Sequence, residues 1–180
     1  RVVGLVRNNQ SVAAFDRGDY AAAAEMAQQA AALAALTLDD QARIRATGNL
    51  GRALMSSGDV VAARSAFEQS LALARNVGNR GAEAIALYNI AFAIQMESGL
   101  VEEEPAAEAK ACVFDAIAIF EELGYKRELA RALLGLAGVL APGDEVLRAI
   151  ARARDIFSGL GDTDAVAAAD AMRANVLESR

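Results

Sequence analysis

Amide and guanidinium side chains recur at helical spacing in the middle of the chain. Arg45, Asn49 and Arg52 are separated by four and three residues. Ser56 follows after a further four. Steps of three and four place side chains on one face of an α-helix. An amide offers a peptide backbone both a donor and an acceptor, and a guanidinium group binds carboxylates in bidentate fashion. This face therefore has the chemistry to bind an extended peptide.

A comparable face recurs forty residues later. Asn89 lies 40 residues after Asn49, and it shares its predicted face with Ile85, Phe92 and Met96. Farther along the chain, the same register holds Arg131, Gly135 and Gly138. We predict that these faces form one ligand-binding groove, made of Arg45, Asn49, Arg52, Asn89, Phe92, Met96 and Arg131.

These residues also have a simpler interpretation. Asn49 and Asn89 could be a packing detail that repeats with the fold, and the arginines could pair with exposed acids. Surface ion pairs contribute only about 0–1 kcal/mol, so such pairing would not explain why arginines are placed there. Asn9 lies 40 residues before Asn49, so the same spacing continues toward the start of the chain. Its helical neighbours Leu5 and Val12 leave open whether it belongs to the groove or to a packed face.

Two kinds of turn sequence divide the chain into helices. Gly-containing turns occur in the middle of each repeat, at 17–20, 57–60, 98–101 and 142–145. A second set ends each repeat, at 36–40, 76–80, 122–126 and 159–163. They predict helices over 2–17, 20–35, 40–57, 60–76, 80–98, 105–122, 126–140, 144–159 and 163–178. Glycine suits helix ends that need positive φ, and Asp59, Asp144 and Asp162 lie where N-caps are expected.

The second helix of each later repeat carries apolar residues on one face. Ala63, Phe67, Ser70 and Leu73 illustrate the spacing. A helical hairpin cannot bury its apolar face alone, so neighbouring hairpins must stack into a solenoid. The prediction is an all-α, right-handed α–α superhelix of about four hairpins plus a final helix. It forms a single domain over 1–180, with repeats over 1–39, 40–79, 80–125 and 126–162 and the last helix at 163–178.

The second repeat resembles the tetratricopeptide repeat (TPR). Residues 46–73 place Leu50-Gly51, Leu54, Gly58-Asp59 and Phe67, together with Ala63 and Leu73, where that family has its small and apolar signature residues. The longer period resembles repeat arrays of bacterial signalling ATPases and transcriptional regulators. The resemblance implies a concave groove that binds a protein or peptide, and a role in interaction or sensing within a larger regulatory protein.

The resemblance also bears on what the groove would hold. TPR grooves that bind a C-terminal carboxylate use asparagines with lysine and arginine, and Asn49 matches such an asparagine. Leu5 and Ile85 stand where those grooves carry lysine, so a complete carboxylate clamp is not implied. An acidic group or a C-terminal carboxylate remains one option for the partner. The alternative function is a spacer or self-association module that forms a homodimer.

Composition excludes several other classes. The net charge is −6 and no basic run occurs, which argues against nucleic acid. The most apolar stretch, 84–96, is too short to cross a membrane, and no signal peptide is visible. The single cysteine, Cys112, cannot form an internal disulfide, which fits the cytoplasm. Because the chain begins at Arg1 rather than methionine, we expect it to be part of a longer protein.

Catalysis is not expected. The chain has no histidine, so it offers neither a Ser-His or Cys-His pair nor a His-ligated metal site. Cys112 lies among alanine and valine in a predicted helix, where a small packing residue is the simpler interpretation than a nucleophile. No phosphate-binding GxxxxGK[ST] loop is present, and "GLGDTD" at 159–164 lacks the third glycine of a dinucleotide site. We therefore predict no enzyme, cofactor or metal.

Overall fold

The chain folds into helices joined by short turns. The computed structural model describes residues 2–98 and 103–179, and every regular element among them is an α-helix. In chain order these are α1 (Val2–Asp16), α2 (Tyr20–Leu36), α3 (Asp40–Ser57), α4 (Val60–Asn76), α5 (Arg80–Ser98), α6 (Glu103–Leu123), α7 (Lys126–Val139), α8 (Asp144–Gly159) and α9 (Thr163–Glu178).

The helix boundaries agree with the sequence-based prediction to within two residues. The largest difference is at α6, which begins at Glu103 rather than at Pro105. Proline is tolerated in the first turn of a helix, where its missing N–H would have no partner. The predicted turn at 98–101 extends outside the described residues.

Side-chain caps begin most of the helices, and two of the three predicted aspartates are among them. The carboxylates of Asp59 and Asp162 accept hydrogen bonds from the backbone N–H groups of Ala62 and Ala165. The prediction for Asp144 is wrong. That residue is the first of α8, and Gly143, which has no side chain, precedes it in extended conformation.

One turn departs from the glycine rule. Gly78, Gly124 and Gly161 have positive φ at the end of their repeats, but the equivalent residue of the first repeat is Leu38, with φ of 52°. A side chain in the left-handed region costs roughly 1–2 kcal/mol. The Leu38 side chain is 87% exposed, so no packing offsets that cost.

The two helices of a hairpin pack through small residues on the first and apolar residues on the second. A Cβ built on Gly51 of α3 would lie 2.4 Å from Cε1 of Phe67 on α4, so only glycine leaves room for the ring. The predicted apolar face of α4, made of Ala63, Phe67, Ser70 and Leu73, is buried or half-buried throughout. Most of the larger buried side chains belong to one continuous core that runs from α4 to α8.

The pattern of helix contacts identifies the inner wall. Each helix packs on its neighbours in sequence, as expected for stacked hairpins. In addition, α1 contacts α3, α3 contacts α5, and α5 contacts α7, whereas α2, α4, α6 and α8 make no comparable contacts with one another in the described residues. First helices are therefore closer together than second helices, which makes their wall the concave side.

Candidate ligand-binding groove

The centre of the concave wall holds a cavity between α3, α5 and α7. Its volume is about 270 Å³, and we call it the central cavity; its lining residues are Arg52, Ile85, Tyr88, Asn89, Phe120, Glu128 and Arg131. The structure thus brings three of the predicted groove residues together from three successive repeats. Arg52 and Arg131 approach from opposite sides of α5, which carries the amide of Asn89.

A second cavity adjoins the first, toward the carboxyl end of α5. It measures about 360 Å³, and we call it the apolar cavity; it is lined by Tyr88, Phe92, Gln95, Arg131, Leu134, Gly135, Gly138 and Met172. Tyr88 and Arg131 line both cavities. Phe92 is 46% exposed and Met96, one turn further along α5, is 57% exposed. Large apolar side chains on a concave wall are available for contact with a ligand.

Three of the predicted groove residues are arginines. Within the described part of the chain, Arg45, Arg52 and Arg131 form no ion pair with a carboxylate. Arg52 instead lies over the ring of Phe15, 4.6 Å from its centroid. Among the arginines elsewhere in the described residues, five are likewise without an ion pair and six have one, namely Arg64, Arg75, Arg80, Arg127, Arg152 and Arg154. The interpretation that Arg45 and Arg52 serve surface ion pairs therefore finds no support.

Asn49 takes part in packing between first helices. Its Nδ2 donates a hydrogen bond of 3.0 Å to Oδ1 of Asn8 on α1. The 40-residue spacing between Asn9 and Asn49 does not predict this hydrogen bond. Asn9 is exposed, and its neighbour Asn8 is the partner of Asn49. Asn49 lines a small cavity with Phe15 and Arg52, next to the central one. One amide hydrogen and the carbonyl oxygen of Asn49 are outside this bond.

Arg45 lies apart from the rest of the predicted site. It is exposed and lines a cavity near the start of the solenoid, together with Leu5, Asn8 and Asp39. Neither the central nor the apolar cavity includes it. A ligand would have to extend across α1 and α3 to contact Arg45 and Arg131 together.

Six residues that line the two cavities were not predicted from the sequence: Tyr88, Gln95, Phe120, Glu128, Leu134 and Met172. Tyr88 and Gln95 project from α5, and Glu128 precedes Arg131 by one turn of α7. Tyr88 is three residues after Ile85 and four before Phe92, so helical spacing places it at the edge of the predicted stripe. Burial raises the pKa of the Tyr88 hydroxyl above its usual value, and nearby Arg131 opposes the shift. The hydroxyl is therefore a neutral hydrogen-bonding group at physiological pH.

Two glycines set the distance between α5 and α7. A Cβ on Gly135 would lie 2.9 Å from Cε2 of Tyr88, and one on Gly138 would lie 2.4 Å from Nε2 of Gln95. Both were predicted on the inner stripe, and both are indeed on the side of α7 that meets α5. Their missing side chains leave Tyr88 and Gln95 room at the edge of the apolar cavity.

Other chemistry has less support in the described residues. Cys112 is half-buried, and burial, together with Glu108 and Asp115, raises the pKa of its thiol. A raised pKa lowers the thiolate fraction, which suits a packing residue better than a nucleophile. Across 2–98 and 103–179, no cluster of potential metal ligands occurs. No helix in the same ranges is long and apolar enough to cross a membrane.

This fold defines a class of protein, the TPR-like helical-repeat solenoids. Its solved neighbours include BtubC (BKLC) from P. vanneervenii, which is 13% identical with a TM-score of 0.61 over 94% of this chain and 77% of that one. A putative kinesin light chain from P. anserina, described by its nearly identical TPR-like repeats, is 16% identical with a TM-score of 0.57 over 96% of this chain and 93% of its own. A variant of the latter is 18% identical, with a TM-score of 0.56 over 97% and 96% of the two chains.

These identities establish a shared fold and do not extend to function. No protein-family model matches the chain, and no curated protein is similar to it in sequence. The resemblance to TPR arrays deduced from residues 46–73 is confirmed at the level of architecture. Statements about the partner therefore depend on the groove itself.

Proposed function

We propose that the chain is a protein-interaction module whose concave groove binds an extended segment of a partner protein. The observation that carries this proposal is the pair Arg52 and Arg131, which line one cavity without a carboxylate partner in the described residues. Asn89 lies between them and can pair with a peptide backbone whatever its sequence. Phe92 and Met96 provide apolar contact area next to these polar groups.

The wider role follows from the resemblance to long-repeat arrays. We propose that the module serves interaction or sensing in a larger bacterial regulatory protein in the cytoplasm, without catalysis of its own. The partner is a protein or peptide, and neither nucleic acid nor a membrane is expected. Groove-lined solenoids suit this role because successive repeats present a continuous binding surface.

Selection from a random dodecapeptide display library tests the groove. Peptides enriched on the intact chain would be synthesised, and their affinities measured by fluorescence anisotropy. Asn89→Ala should weaken binding about 3- to 10-fold, because one or two hydrogen bonds to the peptide are lost at about 0.5–1.5 kcal/mol each. Asn76→Ala, at the exposed end of α4, is the matched control and should change nothing. Equal affinity for wild type and Asn89→Ala across all enriched peptides would refute the groove assignment.

Self-association is the second candidate. The observation that favours it is the exposure of valines on α1, with Val2 at 76%, Val3 at 61% and Val6 at 47%. Contiguous exposed apolar groups often mark interaction surfaces. Sedimentation velocity over a wide concentration range separates the two candidates. A species that remains monomeric at high micromolar concentration would count against self-association and leave the groove proposal in place.

A further inference from the structure

The two cavities of the groove have different chemistry and are in contact. The central cavity contributes Arg52, Arg131 and Asn89, whereas the apolar cavity is bordered by Phe92, Leu134 and Met172. We propose that they act as paired subsites for an acidic side chain and a bulky apolar side chain, two or three residues apart in an extended segment. This inference rests on the proposed peptide-binding function and specifies its ligand.

Charge selects the acidic side chain. Arg52 and Arg131 give the central cavity two positive charges against the single carboxylate of Glu128. Although Glu128 is only one turn from Arg131, the two form no ion pair in the described structure. A carboxylate in this cavity would be attracted by both guanidinium groups, and partial enclosure strengthens such attraction relative to open water.

Shape selects the apolar side chain. Gly135 and Gly138 present no side chain toward α5, and Tyr88 and Gln95 occupy that space as part of the cavity lining. Phe92 offers a flat ring, and the half-buried Met172 at the far edge has a flexible thioether that adapts to different shapes. The exposed Met96 extends the same surface along α5. Leucine, methionine or an aromatic side chain fits this lining better than a small or charged one.

The distance between the subsites sets the spacing in the ligand. Asn89 marks the level of the acidic subsite, and the midpoint of Phe92 and Met96 marks that of the apolar one. That midpoint is about 5 residues farther along the helix, or roughly 7.5 Å at about 1.5 Å per residue. An extended peptide advances about 3.3 Å per residue, so two residues span the distance and a third covers the sideways step toward α7.

Peptides selected from the dodecapeptide library on the full chain test this inference. We expect enrichment of an aspartate or glutamate two or three positions from a large apolar residue. One enriched peptide would then be made in two changed forms, one with the acid replaced by its amide and the other with the apolar residue replaced by alanine. Each change should weaken binding to the wild-type chain by about tenfold, the size expected for one charged hydrogen-bonded contact or one buried side chain.

Variants of the chain assign each effect to its subsite. In Arg131→Gln, the acid-to-amide change in the peptide should lose most of its effect, and the alanine change should keep its own. Phe92→Ala should show the reverse. Matched controls are Arg148→Gln on α8 and Phe114→Ala on α6, both exposed and outside the two cavities. Circular dichroism would confirm that all four variants fold.

The possible results separate this inference from the proposal beneath it. Peptides that need Asn89 but show no acidic–apolar pairing would overturn the paired subsites and leave the groove function intact. Acidic–apolar peptides whose binding is unaffected by Arg131→Gln and Phe92→Ala would also overturn the inference, because they would bind elsewhere. An absence of any groove-dependent peptide would overturn the proposed function, and the paired subsites with it.

Discussion

Two glycines on α3 should respond in opposite directions to the same substitution. Gly48 and Gly51 lie one turn apart in the interior of the helix. Alanine is favoured over glycine in a helix by about 0.5–1 kcal/mol, and both sites gain this term. At Gly48 the nearest atom to an added Cβ is Oγ of Ser70, at 3.8 Å, which is an ordinary contact. Gly48→Ala should therefore stabilise the fold by about 0.5–1 kcal/mol.

At Gly51 the added methyl group meets the ring of Phe67. Three ring atoms would lie 2.4, 2.6 and 2.9 Å from the Cβ, and the ring is 2% exposed and cannot move into solvent. Overpacking of this kind costs about 1–3 kcal/mol. The helix term is common to both variants and cancels, so their difference measures the steric cost alone. Gly51→Ala should be less stable than Gly48→Ala by about 1–3 kcal/mol.

Urea unfolding followed by circular dichroism would measure the difference. In a thermal melt, each kcal/mol corresponds to roughly 2–4 °C for a chain of this length. Phe67→Leu should restore part of the loss in Gly51→Ala, with a favourable coupling of about 1 kcal/mol in a double-mutant cycle. Equal stability of the two alanine variants would show that α3 and α4 can separate freely. The reasoning that glycine fixes this hairpin would then fail.

Two further predictions concern the turns at the repeat ends and the ion-paired Glu83 in the first turn of α5. Leu38→Gly should stabilise the fold by about 0.5–1 kcal/mol in a urea titration, because the left-handed strain removed exceeds the chain entropy that glycine adds. Gly78→Ala, at the equivalent position with φ of 68°, should destabilise it, and the opposite pattern would contradict the strain argument. Glu83 is buried, which alone would raise its pKa, but hydrogen bonds from Arg75 and Arg80 lower the pKa below the ordinary 4.5. Its stabilisation is thus present above pH 4.5 and lost as the pH falls through the folded-state pKa, so Glu83→Gln should cost most stability near neutral pH. A stability difference between wild type and Glu83→Gln that stays constant down to strongly acidic pH would refute this assignment.

Local signals made the helices and turns predictable from sequence. Glycine at a helix end needs no knowledge of distant residues, because its positive φ is a local property, as at Gly58. The same holds for Asp59, whose carboxylate reaches a backbone N–H three residues away. The prediction that Asp144 caps α8 was wrong because the motif around it resembles the other turns. The backbone there is extended at Leu140 and Gly143.

Groove contacts were less predictable, because they join residues far apart in sequence. The repeat period suggested that Asn49 belongs with Asn9, but neighbouring first helices are offset, and Asn8 is the residue within reach. The position of Tyr88 also depends on a residue far away in sequence. Helical spacing places its ring at the edge of the stripe, but the contact with Gly135 on the next first helix, which leaves the ring room, cannot be read from α5 alone.

Fold and ligand specificity therefore depend on different sets of residues in this chain. The faces between the helices of a hairpin need small and apolar residues at fixed places, as the pair Gly51 and Phe67 shows. The concave wall has fewer such requirements, of which Gly135 and Gly138 are two, since exposed positions tolerate most residues without a large loss of stability. Arg131, which forms no ion pair in the described residues, and the exposed Phe92 are consequently not explained by folding alone. Cationic and apolar groups that line adjoining cavities, as these two do, are what a binding surface for an acidic and apolar segment requires.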